Sequence, residues 1–492
     1  MTQEILINVT PQEIRVAMLE NGVLQELFIE RRNRLGLVGN IYKGKVIRVM
    51  PGMDAAFVDL GMDKAAFLHV SDILRADAAL TVDEPATPPP VIPIHQVLRE
   101  GQELLVQVIK DPLGSKGARL TTQITVPSRF LVLMPYARSI GISTKIEDEA
   151  ERQRLLELMN TATLENGSGG YIVRTVAEGA KSDDLRRDAE FLRKLWRNIE
   201  ARSANAGAAT LVHSDLPLVL RVLRDFVNQS IERVLVDSLE TWQRMIEFAD
   251  KYMPEMKSRL ERYEGERPIF DLHSIEDEIR KALQRKVLLK SGGYLILDQT
   301  EAMTTVDVNT GGFVGSRNLE ETIYKTNLEA AQAIARQLRL RNLGGIIIID
   351  FIDMLDEEHK RQVMRALNKA LEKDYARTHV SDVSELGLVE MTRKRTRESL
   401  EHILCEPCPA CEGRGSARTS ETICYEIFRE ILRMSRLYDP RNLTVMASPK
   451  VIDLLLDEES TSLADLESFT GATIHLQAES MYPQELYDVV IT

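Results

Sequence analysis

Short alternating runs of apolar and polar residues open the chain. ILINVT and EIRVAML flank turns, and Asn21-Gly22, a strong hairpin signal, stands just before VLQELFIE, so the first 30 residues are predicted to be strands. From about 38 to 127 the pattern stays short-stranded, through NIYKGKVIRVM, AAFVDLG, AAFLHV and ELLVQVIKD. Gly52 and Gly61 mark tight turns between these runs, as expected of a small barrel. The segment EPATPPPVIPIH (84–95) is too rich in proline for a central strand and reads as a surface loop.

Residues 128–218 are mixed: LVLMP, GISTKI, a helix near 148–160, the strand GYIVRT, and a long helix from Ser182 to about Ser203. Two helices are expected near 219–250, and the strand-like runs GGYLILD and MTTVDVN follow Arg285. A helical stretch from Glu320 to about Leu340, closed by Gly344-Gly345, leads into the strand IIIID and a helix over 357–374. Strands alternating with helices predict an α/β layer here, and 418–492 reads as a small α/β appendix.

Composition narrows the class. With 492 residues, 44% hydrophobic and 28% charged, the chain can form about three domains, and disorder fails as a description of the whole. The longest aliphatic run is the four isoleucines at 346–349, far short of the roughly 18 residues of a membrane span. MTQEILINVT has no basic start and carries Glu4 within its apolar stretch, so no signal peptide is expected. Four cysteines make no disulfide framework, and a reducing cytoplasm is expected. The net charge of −13 argues against a nucleic-acid partner only until its distribution is read. Residues 451–492 hold nine acids and no Lys or Arg, which leaves −4 for the other 450 residues. Between 31 and 48 stand six bases (Arg31, Arg32, Arg34, Lys43, Lys45, Arg48) and no acid.

Four groups of residues carry chemistry. Asp307 and Asp350 each end a strand-like run, and Asn309 lies on the same side of its strand as Asp307. Carboxylates at strand ends can meet at one site and share a hard cation such as Mg²⁺; the alternative is that they cap helices or turns. TGGFVG (310–315) lacks the lysine of a phosphate loop and reads as a tight loop beside them. In the barrel, Tyr42, Phe57 and Phe67 fall among Lys43, Lys45, Arg48 and Lys116, a pattern suited to stacking single-stranded nucleic acid; the alternative is that the rings fill the barrel. Cys405, Cys408 and Cys411 have zinc-knuckle spacing. His402 or Cys424 could complete four ligands, or two chains could give two thiolates each; a redox pair would want a thioredoxin-like strand-to-helix setting, which is not seen. Last, 392–397 has four bases in six residues, a phosphate clamp or a solvated face.

NIYKGKV, AAFVDLG, LVLMP, VDVN, the block ETIYKTNLEAAQAIARQLRLRNLGGIIIIDFIDM and CPACEGRG together resemble the RNase E/G family, over essentially the whole chain and in the family's order. Ending at 492, without a long disordered scaffold, the sequence is expected on the shorter, G-type side of that family. The resemblance implies a multidomain α/β (α+β) fold. An RNase H-like subdomain is split over 1–36 and 219–282, around an S1-type OB-fold barrel (37–127) and a 5′-phosphate sensor region (128–218). A DNase I-like catalytic subdomain (283–403), a zinc link (404–417) and a small acidic C-terminal domain (418–492) follow.

The implied activity is Mg²⁺-dependent endonucleolytic cleavage of single-stranded, A/U-rich RNA, leaving 5′-phosphate and 3′-hydroxyl ends. The implied substrates are the 5′ precursor region of 16S ribosomal RNA and selected messengers. Asp307 and Asp350 would hold the metal, with Asn309 assisting; Phe57 and Phe67 would contact RNA, beside Lys43 and Lys116. Arg174 and Thr175 would read a 5′-monophosphate in a pocket lined by Val132. Cys408 and Cys411 match a zinc link shared between two protomers, giving a homodimer or higher assembly, and Cys405 is an extra thiol that leaves the ligand set open. The rival functions are a non-catalytic RNA-binding scaffold dimerised through zinc and a metal-dependent DNase. A pure binder has no need of repelling acids at strand ends.

Overall fold

Asn21 and Gly22 both take left-handed backbone angles (φ 51° and 75°), the geometry of a two-residue hairpin, and join the strands Glu13–Glu20 and Val23–Arg31. With Gln3–Val9 these form an antiparallel meander. The computed structural model describes residues 2–32, 36–74, 93–112, 116–164, 169–227, 230–312, 319–384, 386–395, 397–411 and 413–492. In it, Ile231–Val236 pairs in parallel with the far side of Gln3–Val9, and Leu260–Arg262 pairs in parallel beyond that. The two helices expected near 219–250 are Leu218–Phe226 and Leu239–Tyr252, but the strand Ile231–Val236 lies between them. A six-residue apolar run does not distinguish strand from buried helix by its period. Ile5, Ile7, Val16 and Met18 pack on those helices. Leu6 is enclosed on the other face, which is why ILI is continuous rather than alternating.

The barrel is real. Ile41–Met50 pairs with Ala55–Asp59 on one side and Glu103–Lys110 on the other. The ring closes through Ala66–His69 and Arg119–Thr121, and Thr210–His213 is added outside it. Its interior is small: a Cβ on Gly44 would lie 2.5 Å from Val58 Cγ1, so only glycine fits. Residues 84–92 of the proline-rich segment lie outside the described residues. Its end is not loop: Pro93 precedes the one-turn helix Ile94–Val97, and Ile94 is fully buried in the barrel core.

A four-stranded sheet (Ile140–Ile142, Gly170–Val173, Leu131–Met134, Val126–Pro127) carries the helices Glu149–Leu164 and Ser182–Asn205. Six strands form the next sheet, in the order Lys286–Leu288, Tyr294–Gln299, Met303–Asn309, Gly345–Asp350, Leu388–Arg393, Thr378–Val383. The helices Leu319–Leu340 and Glu357–Leu371 cover one of its faces. The first of these ends differently from the expectation. Asn342, not a glycine, takes the left-handed cap (φ 49°), with Leu343 N bonded to Leu338 O at 3.0 Å and Asn342 N to Arg339 O at 3.2 Å. Buried Arg339 on the same helix pairs with Glu26 (2.9 Å) and Glu20 (3.2 Å), tying this layer to the first sheet.

The chain divides into two compact units, Met1–Ile403 and Leu404–Thr492. The three strands of the second run Thr473–Ala478, Asn442–Ala447, Tyr487–Ile491, the first pair parallel, under the helices Ser420–Tyr438, Pro449–Leu456 and Ser460–Thr470. No helix among the described residues is long and apolar enough to cross a membrane.

Candidate active site

The register of the six-stranded sheet sets Asp307 beside Asp350: they are direct partners on neighbouring parallel strands. Val306, Val308, Ile347 and Ile349 fill the helix-covered core, so alternation turns Asp307, Asn309 and Asp350 to the opposite face. The Asn309 amide donates to Asp307 Oδ2 at 2.8 Å. Burial, then the charges of Asp307 and Asp353, push the Asp350 carboxyl above its ordinary range. Asp350 caps no helix; Asp356 does that for Glu357–Leu371, accepting from Glu358 N at 2.7 Å. Two repelling carboxylates on one exposed patch fit a hard divalent cation. Among the described residues no group of three or more His, Cys, Asp and Glu side chains is placed to hold a metal, so an ion here would keep water on its other positions. Of the neighbouring glycine loop, residues 313–315 and the following Arg317 lie outside the described residues.

Sequence reading missed what holds the segment after Asp350. Asn327, fully buried on the long helix, donates to Ile352 O at 2.8 Å and accepts from Ile352 N at 3.2 Å. Glu320 accepts from the backbone N–H groups of Leu355 (3.0 Å) and Asp356 (3.3 Å). A polar residue within an otherwise apolar helix stripe was the available signal for Asn327.

On the barrel, Phe57 and Phe67 are cross-strand partners on the outer surface, with ring centroids 6.1 Å apart and edge-on. The alternative, rings filling the barrel, describes only Tyr42, which is buried in the core. Phe67 also stacks on His69 at 6.4 Å, and exposed Arg48 stands across from Phe57. Lys116 is exposed. Lys43 is drawn elsewhere, donating to Ala206 O at 2.8 Å and pairing with Glu103 at 3.2 Å. Arg34 of the basic cluster lies outside the described residues.

Arg174 follows the strand Gly170–Val173, in which Ile172 pairs with Val132; Arg174 and Val132 therefore share a sheet face. The Arg174 guanidinium donates to Ser128 O at 2.5 Å and to Asp225 Oδ1 at 2.7 Å. The Thr175 hydroxyl meets that of Ser143 at 3.0 Å. Asp188 accepts from the Ser128 hydroxyl, Phe130 N (2.9 Å) and Leu131 N (3.0 Å), fixing the turn that carries Ser128.

Cys408 and Cys411 lie together in the irregular stretch and turn ahead of the helix Ser420–Tyr438. N–H donation from Gly415 and Gly413, with the Cys408 thiol in hydrogen-bond reach, holds the Cys411 thiol below its usual range, which fits a metal-bound thiolate. Cys405 is exposed. Cys424 sits in the apolar core, where burial pushes its thiol up to about 11, and His402 Nδ1 is engaged with Ser399 Oγ at 3.0 Å.

The basic run is neither clamp nor solvated face as a whole. Arg393 is buried against Asp374 (2.6 Å), and Arg397 lies 3.8 Å over the Phe28 ring, where burial lowers it to about 10. Only Thr392, Lys394 and Arg395 are exposed, and Thr396 lies outside the described residues.

Residues 125–396 match the model of the Ribonuclease E/G family, 37–121 match the S1 RNA binding domain, and 407–490 match the thioredoxin-like domain of RNase E/G. The last name concerns the domain; its cysteine pair stands in an irregular stretch and turn before a helix, without a preceding strand. The chain is 55% identical over 491 residues to Ribonuclease G of Salmonella typhimurium (strain SL1344), covering 100% of both chains. It is 51% identical over 489 residues to Ribonuclease G of Haemophilus influenzae, covering 99% of both. Against Ribonuclease E of Escherichia coli (strain K12) it is 37% identical over 473 residues, 95% of this chain and 44% of that one. The chain belongs to the ribonuclease E/G family.

Proposed function

We propose that this endoribonuclease hydrolyses single-stranded, A/U-rich RNA at the Asp307–Asp350 face, leaving 5′-phosphate and 3′-hydroxyl ends, and that it senses a 5′-monophosphate through Arg174. The observation that carries the reading is the in-register pairing of two carboxylates on one exposed strand pair. Asp307 and Asp350 would hold Mg²⁺, which supplies charge neutralisation at the phosphate and a more acidic water when bound. Asn309 fixes the rotamer of Asp307 by its hydrogen bond. Phe57 and Phe67 offer a stacking surface for bases, with Arg48 and Lys116 as cations near the strand; Lys43 acts through the backbone it ties down.

The subdomain reading is supported by strand order. The split first sheet, a three-strand meander with two strands added in parallel on its first strand, suits an RNase H-like subdomain, and the six-stranded sheet with its helix layer suits the DNase I-like catalytic one. Residues 37–127, 128–218, 404–417 and 418–492 then serve as barrel, sensor, zinc link and C-terminal domain. The reading extends to maturation of the 16S ribosomal RNA 5′ end and to messenger decay in the cytoplasm.

The test is cleavage of one short sequence offered as single-stranded RNA, duplex RNA and DNA. Cutting of single-stranded RNA alone, with 5′-phosphate products, supports the reading. Binding without cutting supports the scaffold, and equal cutting of DNA supports a general nuclease. Replacing Phe57 or Phe67 by Ala is expected to weaken binding of a short RNA by about tenfold each, within the roughly 1–3 kcal/mol of one stacked base, as read by fluorescence anisotropy.

For zinc, the two neighbouring thiols Cys408 and Cys411 offer half of a four-thiolate site. Cys408 and Cys411 fall within the family's C-terminal model, which starts at 407 after Cys405, and two thiolates per chain suit one ion shared between two protomers of a homodimer. Metal analysis of the purified protein is expected to give about half a zinc per chain. One zinc per chain would point to closure within a chain with Cys405.

A further inference from the structure

The Arg174 guanidinium is held from both ends. One end donates to Ser128 O at 2.5 Å and the other to Asp225 Oδ1 at 2.7 Å. Asp225 is itself fixed, because buried Arg224 donates to it twice, from Nε to Oδ1 and from Nη2 to Oδ2, both at 3.0 Å. Arg224 then spends Nη1 on Asp215 Oδ1 at 3.0 Å, and Asp215 N bonds Asn40 Oδ1 at 2.9 Å, at the entry to the barrel. A mainly apolar cavity of about 270 Å³, lined in part by Ser128, Asp188, Phe191, Asp215 and Arg224, lies beside this chain of charges. An arginine buried there needs both aspartates. The order arginine–aspartate–arginine is therefore rigid, and it fixes the plane of a side chain that would otherwise lose rotamer freedom on binding a ligand.

We propose that Asp225, locked by Arg224, is the positioning residue of the 5′-phosphate sensor. It holds the Arg174 fork in one orientation, so that the N–H groups not spent on Ser128 and Asp225 face a terminal phosphate. This rests on the reading of Arg174 as the phosphate ligand. Both Arg174 Nη2 and Arg224 Nε end on Oδ1 of Asp225, so asparagine, with its carbonyl there, keeps those two bonds, but it sets an amide donor against Arg224 Nη2 and removes the charge.

The experiment compares kcat/KM on one RNA carrying a 5′-monophosphate or a 5′-hydroxyl, for the full chain and four variants. Arg174→Ala and Asp225→Ala are each expected to narrow the monophosphate preference about tenfold, one such factor being 1.4 kcal/mol. Asp225→Ala is expected to lower the rate on 5′-monophosphate RNA by a larger factor than the rate on 5′-hydroxyl RNA. Asp225→Asn should narrow the preference less than Asp225→Ala does, and the double variant Arg174→Ala/Asp225→Ala should narrow it no further than either alone. An unaltered preference in Asp225→Ala, beside a narrowed one in Arg174→Ala, overturns the role of Asp225; so does an equal fall on both substrates. An unaltered preference in Arg174→Ala overturns the sensor reading itself. Should Asp225→Ala fail to fold, Arg224→Lys carries the test, since lysine cannot fork between two aspartates: a narrowed preference supports the proposal and an unaltered one overturns it.

Discussion

Asp307→Asn and Asp350→Asn should each lower the cleavage rate by about a hundredfold to a thousandfold, while RNA affinity is expected to fall less than about threefold. On the proposed roles each substitution removes a charge that would hold the metal at the reacting phosphate, where a single well-placed electrostatic group is worth about 10²–10³ in rate. Binding is expected to survive because the aromatic face of the barrel proposed to hold RNA, with Phe57 and Phe67 outward, lies on a separate sheet. Asparagine keeps the volume of each side chain, and both positions are exposed, so neither substitution leaves a hole in the core. The two variants should resemble each other, since each takes away one of two paired groups. A variant that binds poorly and cuts normally would assign the pair to substrate docking instead.

The largest stability effect is expected at the other end of the same sheet. Arg393, on the strand beside Gly345–Asp350, donates to both oxygens of Asp374 (2.6 and 3.0 Å), to Asn342 Oδ1 at 3.1 Å and to Leu343 O at 2.8 Å. Its side chain is 5% exposed and that of Asp374 2%. Removing either partner strands a charge in the interior, which costs about 3–5 kcal/mol. Asp374→Ala and Arg393→Ala should each lower the first unfolding transition by several degrees, read by thermal or denaturant melts of the whole chain. The double variant should lose less than the sum of the two, because it leaves no unpaired charge behind. Exposed Lys394, one residue on, is expected to be neutral within about 0.5 kcal/mol when changed to Ala.

That contrast shows where the sequence was readable. TRKRTR looks uniform on paper, yet Arg393 is buried at the end of its strand, Arg397 is half-buried against Phe28 and Lys394 is exposed, because a charge run does not record which residue has a partner. Asp307, Asn309 and Asp350 were legible as strand-end acids with a same-side amide. Their pairing was not, because register is set by the whole sheet. The barrel followed from spaced short strands, and the hairpin of the first sheet from Asn21-Gly22, both being local signals. Ile231–Val236 was missed because a short apolar run fits either element. Asn342 took the helix cap that Gly344-Gly345 seemed to claim, since an asparagine tolerates the left-handed region and here also gains bonds from its side chain to Arg397 O and Glu398 O. Asp225 could not have been read at all: its partner Arg174 is 51 residues away, and only the fold joins them.

The central claim, that Asp307 and Asp350 work as a pair holding a divalent cation, is tested most directly by single-turnover cleavage of one 5′-monophosphorylated RNA during a Mg²⁺ titration, with the unaltered chain and Asp350→Asn side by side. The account predicts a rate that saturates with Mg²⁺ and vanishes in EDTA for the unaltered chain, and no recovery at any Mg²⁺ concentration for the variant. Undiminished cleavage in EDTA, or an Asp350→Asn rate equal to that of the unaltered chain, would contradict it.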